Sequence, residues 1–227
     1  GCIYCYARPN HGYVGLSPGL DFETRLFAKT NAAELLGQEL GRPGYRCEPI
    51  NIGAVTDPYQ PIERRFCITR ALLGVALEHR QPVTLITKSS LVERDLDLLS
   101  QLARDRLTTV FVTITTLDGA LARKLEPRAS APWRRLETVR RLVAAGIEVG
   151  VSLGPVIPFI NDHEIETLLA AAREAGASSA FYTVIRLPLE VDPLFRQWLQ
   201  AHFPDRAARV MHRIQDMRGG RDNDPRF

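Results

Sequence analysis

The sequence predicts an α/β fold built on a parallel sheet. Short β-branched runs alternate with longer stretches of helical periodicity, no two strand candidates are joined by a hairpin turn, and capping residues and glycines fall at the seams. At 227 residues, 45% hydrophobic and 24% charged, the chain is large enough to bury the core of one domain, and disordered or collagen-like classes are excluded.

The first strand candidate is the apolar run at 50–55, stopped by Thr56-Asp57-Pro58. A helix follows over 62–79, with Ile62, Phe66, Ile68, Leu72, Val75 and Ala76 on one stripe. Residues 83–87 read as a buried strand, and 91–103 as a helix that Ser89 or Ser90 caps. The run 108–115, rich in Thr, Val, Phe and Ile, is the third strand. Pro132 opens a helix whose apolar positions are Leu136, Val139, Leu142 and Val143, and Gly146 stands where a terminating glycine belongs. Residues 147–153 form a strand. Asn161 or Asp162 caps a helix through Ile165, Leu168, Leu169 and Ala172, which ends at Gly176, and the fifth strand covers 180–185. Two helices, 193–202 and 205–217, close the pattern. Residues 1–218 are expected to form one domain, and 219–227, polar and broken by glycine and proline, a tail.

Strand–helix alternation demands parallel strands with right-handed crossovers, in a barrel or an open doubly wound sheet. No GxGxxG follows the first strand and no GxxxxGK[ST] occurs, so dinucleotide-binding and P-loop readings lose their main support. In a barrel the reactive groups gather where strands end, here Thr56, Asp57, Thr87, Lys88, Thr113, Thr115, Asn161 and Arg186. A net charge of +3, from 29 basic and 26 acidic residues, does not indicate nucleic acid or a membrane surface. The arginines at 134, 135, 140 and 141 read as the solvated face of their helix, and Glu126 with Arg128 as a surface ion pair. No apolar run approaches the roughly 18 residues that span a bilayer, and four cysteines in a chain of this size fit a reducing compartment, so the cytoplasm is expected.

The chemistry is expected at Cys2-Ile3-Tyr4-Cys5, a pair of thiols on one tight loop. Zinc would call for a second such pair or close histidines, and only His11 is near. A redox pair usually opens a helix, which Ala7-Arg8-Pro9 would end early. Cys47 and Cys67 read as packing residues.

Gly1-Cys-Ile-Tyr-Cys-Tyr-Ala-Arg8 resembles the end of the CxxxCxxC motif of radical S-adenosylmethionine (SAM) enzymes. Cys5-Tyr-Ala-Arg-Pro-Asn-His11, Ala54-Val-Thr-Asp-Pro-Tyr-Gln-Pro-Ile-Glu63, Thr87-Lys-Ser, Leu125-Glu-Pro-Arg128 and Pro155-Val-Ile-Pro-Phe-Ile-Asn-Asp162 resemble the spore photoproduct lyase-like branch. The resemblance implies a partial (β/α)6 parallel barrel with a [4Fe-4S] cluster at its C-terminal mouth. Cys2 and Cys5 would be two of its three thiolate ligands. The first cysteine of the motif would lie three residues before Gly1, so the chain is read as a fragment lacking that ligand and its first barrel strand. The implied function is reductive cleavage of S-adenosylmethionine to a 5′-deoxyadenosyl radical that abstracts hydrogen from an unidentified substrate. The resemblance further implies Tyr4 near the adenine, with Ser152 and Leu153 bordering it, and Gly53, Thr56 and Asp57 toward the methionine amino group. Thr113, Thr115 and Glu126 would serve the ribose, and Lys88 or Arg128 the methionine carboxylate. It brings an external electron donor such as a flavodoxin or ferredoxin. Three alternatives stand beside it: a lyase repairing thymine dimers in DNA, a zinc or redox CxxC module without radical chemistry, and a barrel kept for interactions alone.

Overall fold

The structure, a computed structural model, describes residues 2–223. After a 3-10 segment (Arg8–Val14) come two helices, α1 (Leu20–Thr24) and α2 (Ala32–Leu40). Strand β1 (Ile50–Ile52) leads into α3 (Glu63–Phe66) and α4 (Ile68–Glu78), and β2 (Val83–Thr87) into α5 (Leu96–Arg104). Strand β3 (Thr108–Thr113) precedes α6 (Gly119–Leu125) and α7 (Pro132–Ala144), and β4 (Glu148–Val156) precedes α8 (Ile165–Glu174). Strand β5 (Ser179–Val184), then α9 (Val191–His202) and α10 (Pro204–Asp216), complete the order. Of the tail expected over 219–227, Asp222 accepts hydrogen bonds from Arg196 (2.8 Å) and Gln215 (2.9 Å), and 224–227 lie outside the described residues.

Five strands form one sheet in sequential order, every neighbouring pair parallel. With crossovers of one hand, sequential order keeps the helices on one face, which is barrel winding rather than double winding. Val83, Leu85, Val110, Val112, Val149 and Val151 point to that face and meet Leu73, Leu99, Leu142 and Leu168 in the main core. The opposite face carries Thr113, Ser152 and Thr183 between glycines, and a Cβ on Gly154 would stand 2.8 Å from the Thr183 hydroxyl and 3.2 Å from that of Ser152. A second apolar cluster, with Tyr4, Leu121, Leu125, Ile157, Phe195 and Ile214, docks α6, α9, α10 and the cysteine loop beyond the strands' C-terminal ends.

The expected elements are present, with four corrections, the first being that the helix expected over 91–103 begins as a 3-10 segment, Ser90–Asp95, and turns α-helical only at Leu96. Strand β1 stops at Ile52 rather than residue 55, because Gly53 turns left-handed (φ 107°). The single helix expected over 62–79 is broken at Cys67, whose φ is 49°. There the buried Glu63 carboxylate accepts the Ile68 and Thr69 amides (2.9 and 3.0 Å), capping α4. Asn161 caps no helix through its side chain. It is a buried buckle that accepts from the Ile157 amide (2.7 Å) and donates to the Thr115 and Pro155 carbonyls (2.7 and 3.0 Å). Ser89 does cap the 3-10 turn that leads into α5, accepting from the Leu91 amide.

Gly53 is required twice over: its φ is left-handed, and an added Cβ would lie 2.4 Å from the Ile86 carbonyl oxygen. Gly53→Ala is therefore expected to lower unfolding free energy by about 2–3 kcal/mol. Gly12→Ala, where nothing lies within 4 Å, should cost far less. Urea denaturation of both variants checks this, and equal midpoints would contradict it.

Candidate active site

The cysteine turn is held from several sides. The Cys5 amide donates to the Cys2 carbonyl (3.3 Å) and the Arg8 amide to the Cys5 carbonyl (3.1 Å), while the Ile3 amide reaches Leu125 O on α6 (3.4 Å). Arg8 is buried. Its guanidinium returns to the Cys2 carbonyl (3.0 Å), donates to Pro18 O (3.0 Å) and pairs with Glu23 (2.6 Å), stapling the turn to the segment before α1. Burial, with the Glu126 charge behind it, pushes the Cys2 thiol up to about 11, so without a metal it stays protonated at neutral pH.

Glu126 is the centre of the group beneath that turn. Its side chain is 0% exposed, where the sequence suggested a surface pair with Arg128. It terminates α6. Tyr4 donates its hydroxyl to Oε1, Arg135 donates Nη2 to Oε2, and Lys88 Nζ lies 3.9 Å from Oε1. Burial alone would raise this carboxyl, but Arg135, Lys88 and Tyr4 outweigh it and hold it below its ordinary value. Tyr4 is pushed well above the usual phenol range, chiefly by burial, and stays a neutral donor. Lys88 Nζ also stands 5.9 Å from the centroid of the Tyr4 ring. Arg128 lies outside this group, on the surface beside Glu23.

Arg135 corrects the reading of α7 as a helix with an arginine-lined solvated face: it is 2% exposed and also donates to Thr113 O (2.9 Å) and Ser130 O (2.7 Å). The sequence held a signal for this, since position 135 falls on the stripe of Val139 and Leu142. Arg134 and Arg141 are paired with Glu93, as surface arginines usually are. Cys47 is exposed, and the expectation that it packs in the interior fails, while Cys67 accepts from Arg94.

The other expected groups line the same ends of the strands. Asp57 takes hydrogen bonds from the Tyr59 amide (2.9 Å), the Thr87 hydroxyl (2.7 Å) and the Lys88 amide (2.8 Å), so it locks the loop after β1 to the end of β2. Thr56 is exposed on that loop and accepts from Gln60. Thr113 and Ser152 are register partners on neighbouring strands and both are buried. Leu153 belongs to the core on the helix side and does not join them. The Thr115 hydroxyl is buried with no hydrogen-bond partner, an atom a polar ligand would satisfy.

Two thiols of one turn are the soft donors an iron–sulfur cluster takes, so Cys2 and Cys5 fit as part of its ligand set. Among the described residues no three His, Cys, Asp or Glu gather to hold a metal. His11, the only histidine near in sequence, faces Arg25 O (2.9 Å) and the Phe22 ring.

Removing Arg135 alone leaves the Glu126 charge buried without its main partner. Arg135→Met is expected to cost about 3–5 kcal/mol, and Glu126→Gln/Arg135→Met to recover most of it. Because Glu126 is held below its ordinary 4.5, its contribution is present above that value and is lost as pH falls through the depressed one. The acid limb of stability should accordingly be shallower in Glu126→Gln. Denaturation midpoints against pH test both statements, and a double variant as unstable as the single would contradict the pairing.

Comparison with known proteins agrees with this geometry. Residues 1–172 match the family model of the radical SAM superfamily. An uncharacterized protein of Mycobacterium tuberculosis is 33% identical over 210 residues, covering 92% of this chain and 62% of that protein. One of Methanocaldococcus jannaschii is 27% identical over 209 residues, covering 90% of this chain and 72% of that protein. The chain thus spans less than two thirds of the mycobacterial relative's length. Among solved structures, a spore photoproduct lyase variant with bound AdoMet and dinucleoside spore photoproduct superposes with a TM-score of 0.59 over 89% of this chain and 57% of that one, at 16% identity. At that identity the likeness is one of fold, the partial parallel barrel. A family model matched over most of the chain, carried on such a barrel, makes this protein a member of the radical SAM superfamily.

Proposed function

We propose that the protein is a radical SAM enzyme that reductively cleaves S-adenosylmethionine to a 5′-deoxyadenosyl radical, with Cys2 and Cys5 as two thiolate ligands of its [4Fe-4S] cluster. The observation that carries this reading is the cysteine turn fixed at the C-terminal ends of parallel strands, where the Tyr4 hydroxyl donates to the buried Glu126 carboxylate. Once bound, the cluster and S-adenosylmethionine supply the one-electron chemistry, and the chain's task is to hold, orient and shield. Tyr4, fixed by Glu126, gives the turn its orientation. The backbone at Gly53 and the Thr56 hydroxyl serve the methionine amino group, on a loop that Asp57 locks. Lys88, its amide anchored to Asp57, carries the cation for the methionine carboxylate, and Arg128, out on the surface, drops behind it. Thr113, Thr115 and Ser152 offer hydroxyls from the sheet face opposite the helices to the ribose and the adenine edge.

Residues 1–218 form the core domain in this reading. A reducing compartment, the cytoplasm, and a one-electron donor of the flavodoxin or ferredoxin kind accompany it. Among the described residues no helix is long and apolar enough to cross a membrane.

Anaerobic reconstitution with iron and sulfide tests the proposal. The chain is compared with one preceded by Cys-Xaa-Xaa, which completes the CxxxCxxC spacing. The extended chain is expected to turn brown and to give a reduced EPR signal that S-adenosylmethionine shifts, with Cys2→Ser or Cys5→Ser abolishing both. A colourless extended chain that binds one zinc ion would overturn the proposal in favour of a structural site.

A further inference from the structure

We propose that the cleft between α10 and the loop after β4 binds a compact ligand carrying one or two phosphate groups. The cleft, about 570 Å³, is lined by Phe159, Asp162, His163, Arg206 and Arg209, within the size range of small-molecule sites. Arg206, Arg209 and Arg213 fall at i, i+3 and i+7 on α10, so one stripe of the helix carries three guanidiniums.

These arginines are organised around Phe159. Arg206 Nη1 donates to the Phe159 carbonyl (3.0 Å), and the guanidinium of Arg209 lies 4.0 Å and that of Arg213 5.7 Å from its ring centroid. Phe159 holds φ at 60°, a conformation a bulky side chain rarely adopts, and it turns the carbonyl and ring toward α10. A guanidinium stacked on a ring keeps its N–H edges free for an incoming oxyanion and has less freedom left to lose on binding.

The charges elsewhere behave differently. Arg70, Arg94, Arg134 and Arg141 each have a carboxylate partner within 3.0 Å. Among the described residues no ion pair joins Arg206, Arg209 or Arg213 to a carboxylate, and Asp162 is the single acid of the lining. One stripe of α10 thus carries three arginines that, among the described residues, stand outside any ion pair. That stripe is about 10 Å long, from seven residues at the helical rise. It suits one or two phosphates, whereas a nucleic-acid strand needs a basic track across the surface.

Phe159 packs on the same apolar cluster that also receives Cys2 and Ile3. Calling its ligand a substrate rests on the radical SAM reading; the phosphate site itself does not. The chain without cluster or S-adenosylmethionine is titrated calorimetrically with pyrophosphate at low salt, and separately with a single-stranded oligodeoxynucleotide lacking terminal phosphates. Saturable pyrophosphate binding is expected, weakened at least tenfold in Arg209→Gln/Arg213→Gln and unchanged in Arg64→Gln/Arg65→Gln, where two exposed arginines are lost elsewhere. Circular dichroism melts confirm that both pairs fold. No saturable binding, equal binding by the two pairs, or oligonucleotide binding that pyrophosphate does not displace would each overturn the proposal. Because no cluster is present, such a failure leaves the radical reading standing, and phosphate binding by a chain that never takes up iron leaves the cleft standing.

Discussion

The buried carboxylate of Glu126 is the constraint on which the site depends. A lone charge in that position would be costly, by several kcal/mol even after relaxation, so the fold surrounds it with Arg135, Tyr4 and Lys88. Each partner comes from a different part of the chain, and meeting the needs of one carboxylate therefore fixes their relative positions. Arg135 reaches on to the carbonyl of Thr113 at the end of β3, which connects the charge to the sheet. Tyr4 sits between the two cysteines, which connects it to the loop where the cluster would bind. Arg8 holds the same loop from the other side through the Cys2 carbonyl.

The sheet supplies the frame. Sequential parallel order leaves one face for helices and the other, at its C-terminal end, for hydroxyls and glycines. The apolar content of the strands points to the helices, so polar residues on the opposite face disturb the core little. Thr113, Ser152 and the unpartnered Thr115 are tolerated there for that reason. Gly53 plays a matching role at the edge, where the backbone passes too near Ile86 O for any side chain.

What was legible in the sequence was local or periodic. The βα alternation, the terminating glycines at 146 and 176 and the Ser89 cap follow from hydrophobic period and turn chemistry, and all are present. The cysteine turn was legible as a candidate site from two cysteines and an aromatic residue. Contacts between residues far apart in the chain were not. Glu126 and Arg128, two residues apart, suggested each other, yet Glu126 pairs with Arg135 and with Tyr4, 122 residues away. Arg135 carries a charge, which usually marks solvent, although its helical stripe runs through Val139 and Leu142. Asn161 looked like a cap because Asn so often is one; here its amide satisfies buried backbone in the loop after β4. In each case tertiary pairing overrode a sound local preference.

The central claim is that Cys2 and Cys5 hold a cluster which, with S-adenosylmethionine, performs radical chemistry at this mouth. The most direct measurement is 5′-deoxyadenosine released from S-adenosylmethionine by the reconstituted, dithionite-reduced protein, followed by chromatography and mass spectrometry. The account predicts that 5′-deoxyadenosine forms, and that Cys5→Ser forms none. A protein with full iron and sulfide content that releases no 5′-deoxyadenosine would contradict it.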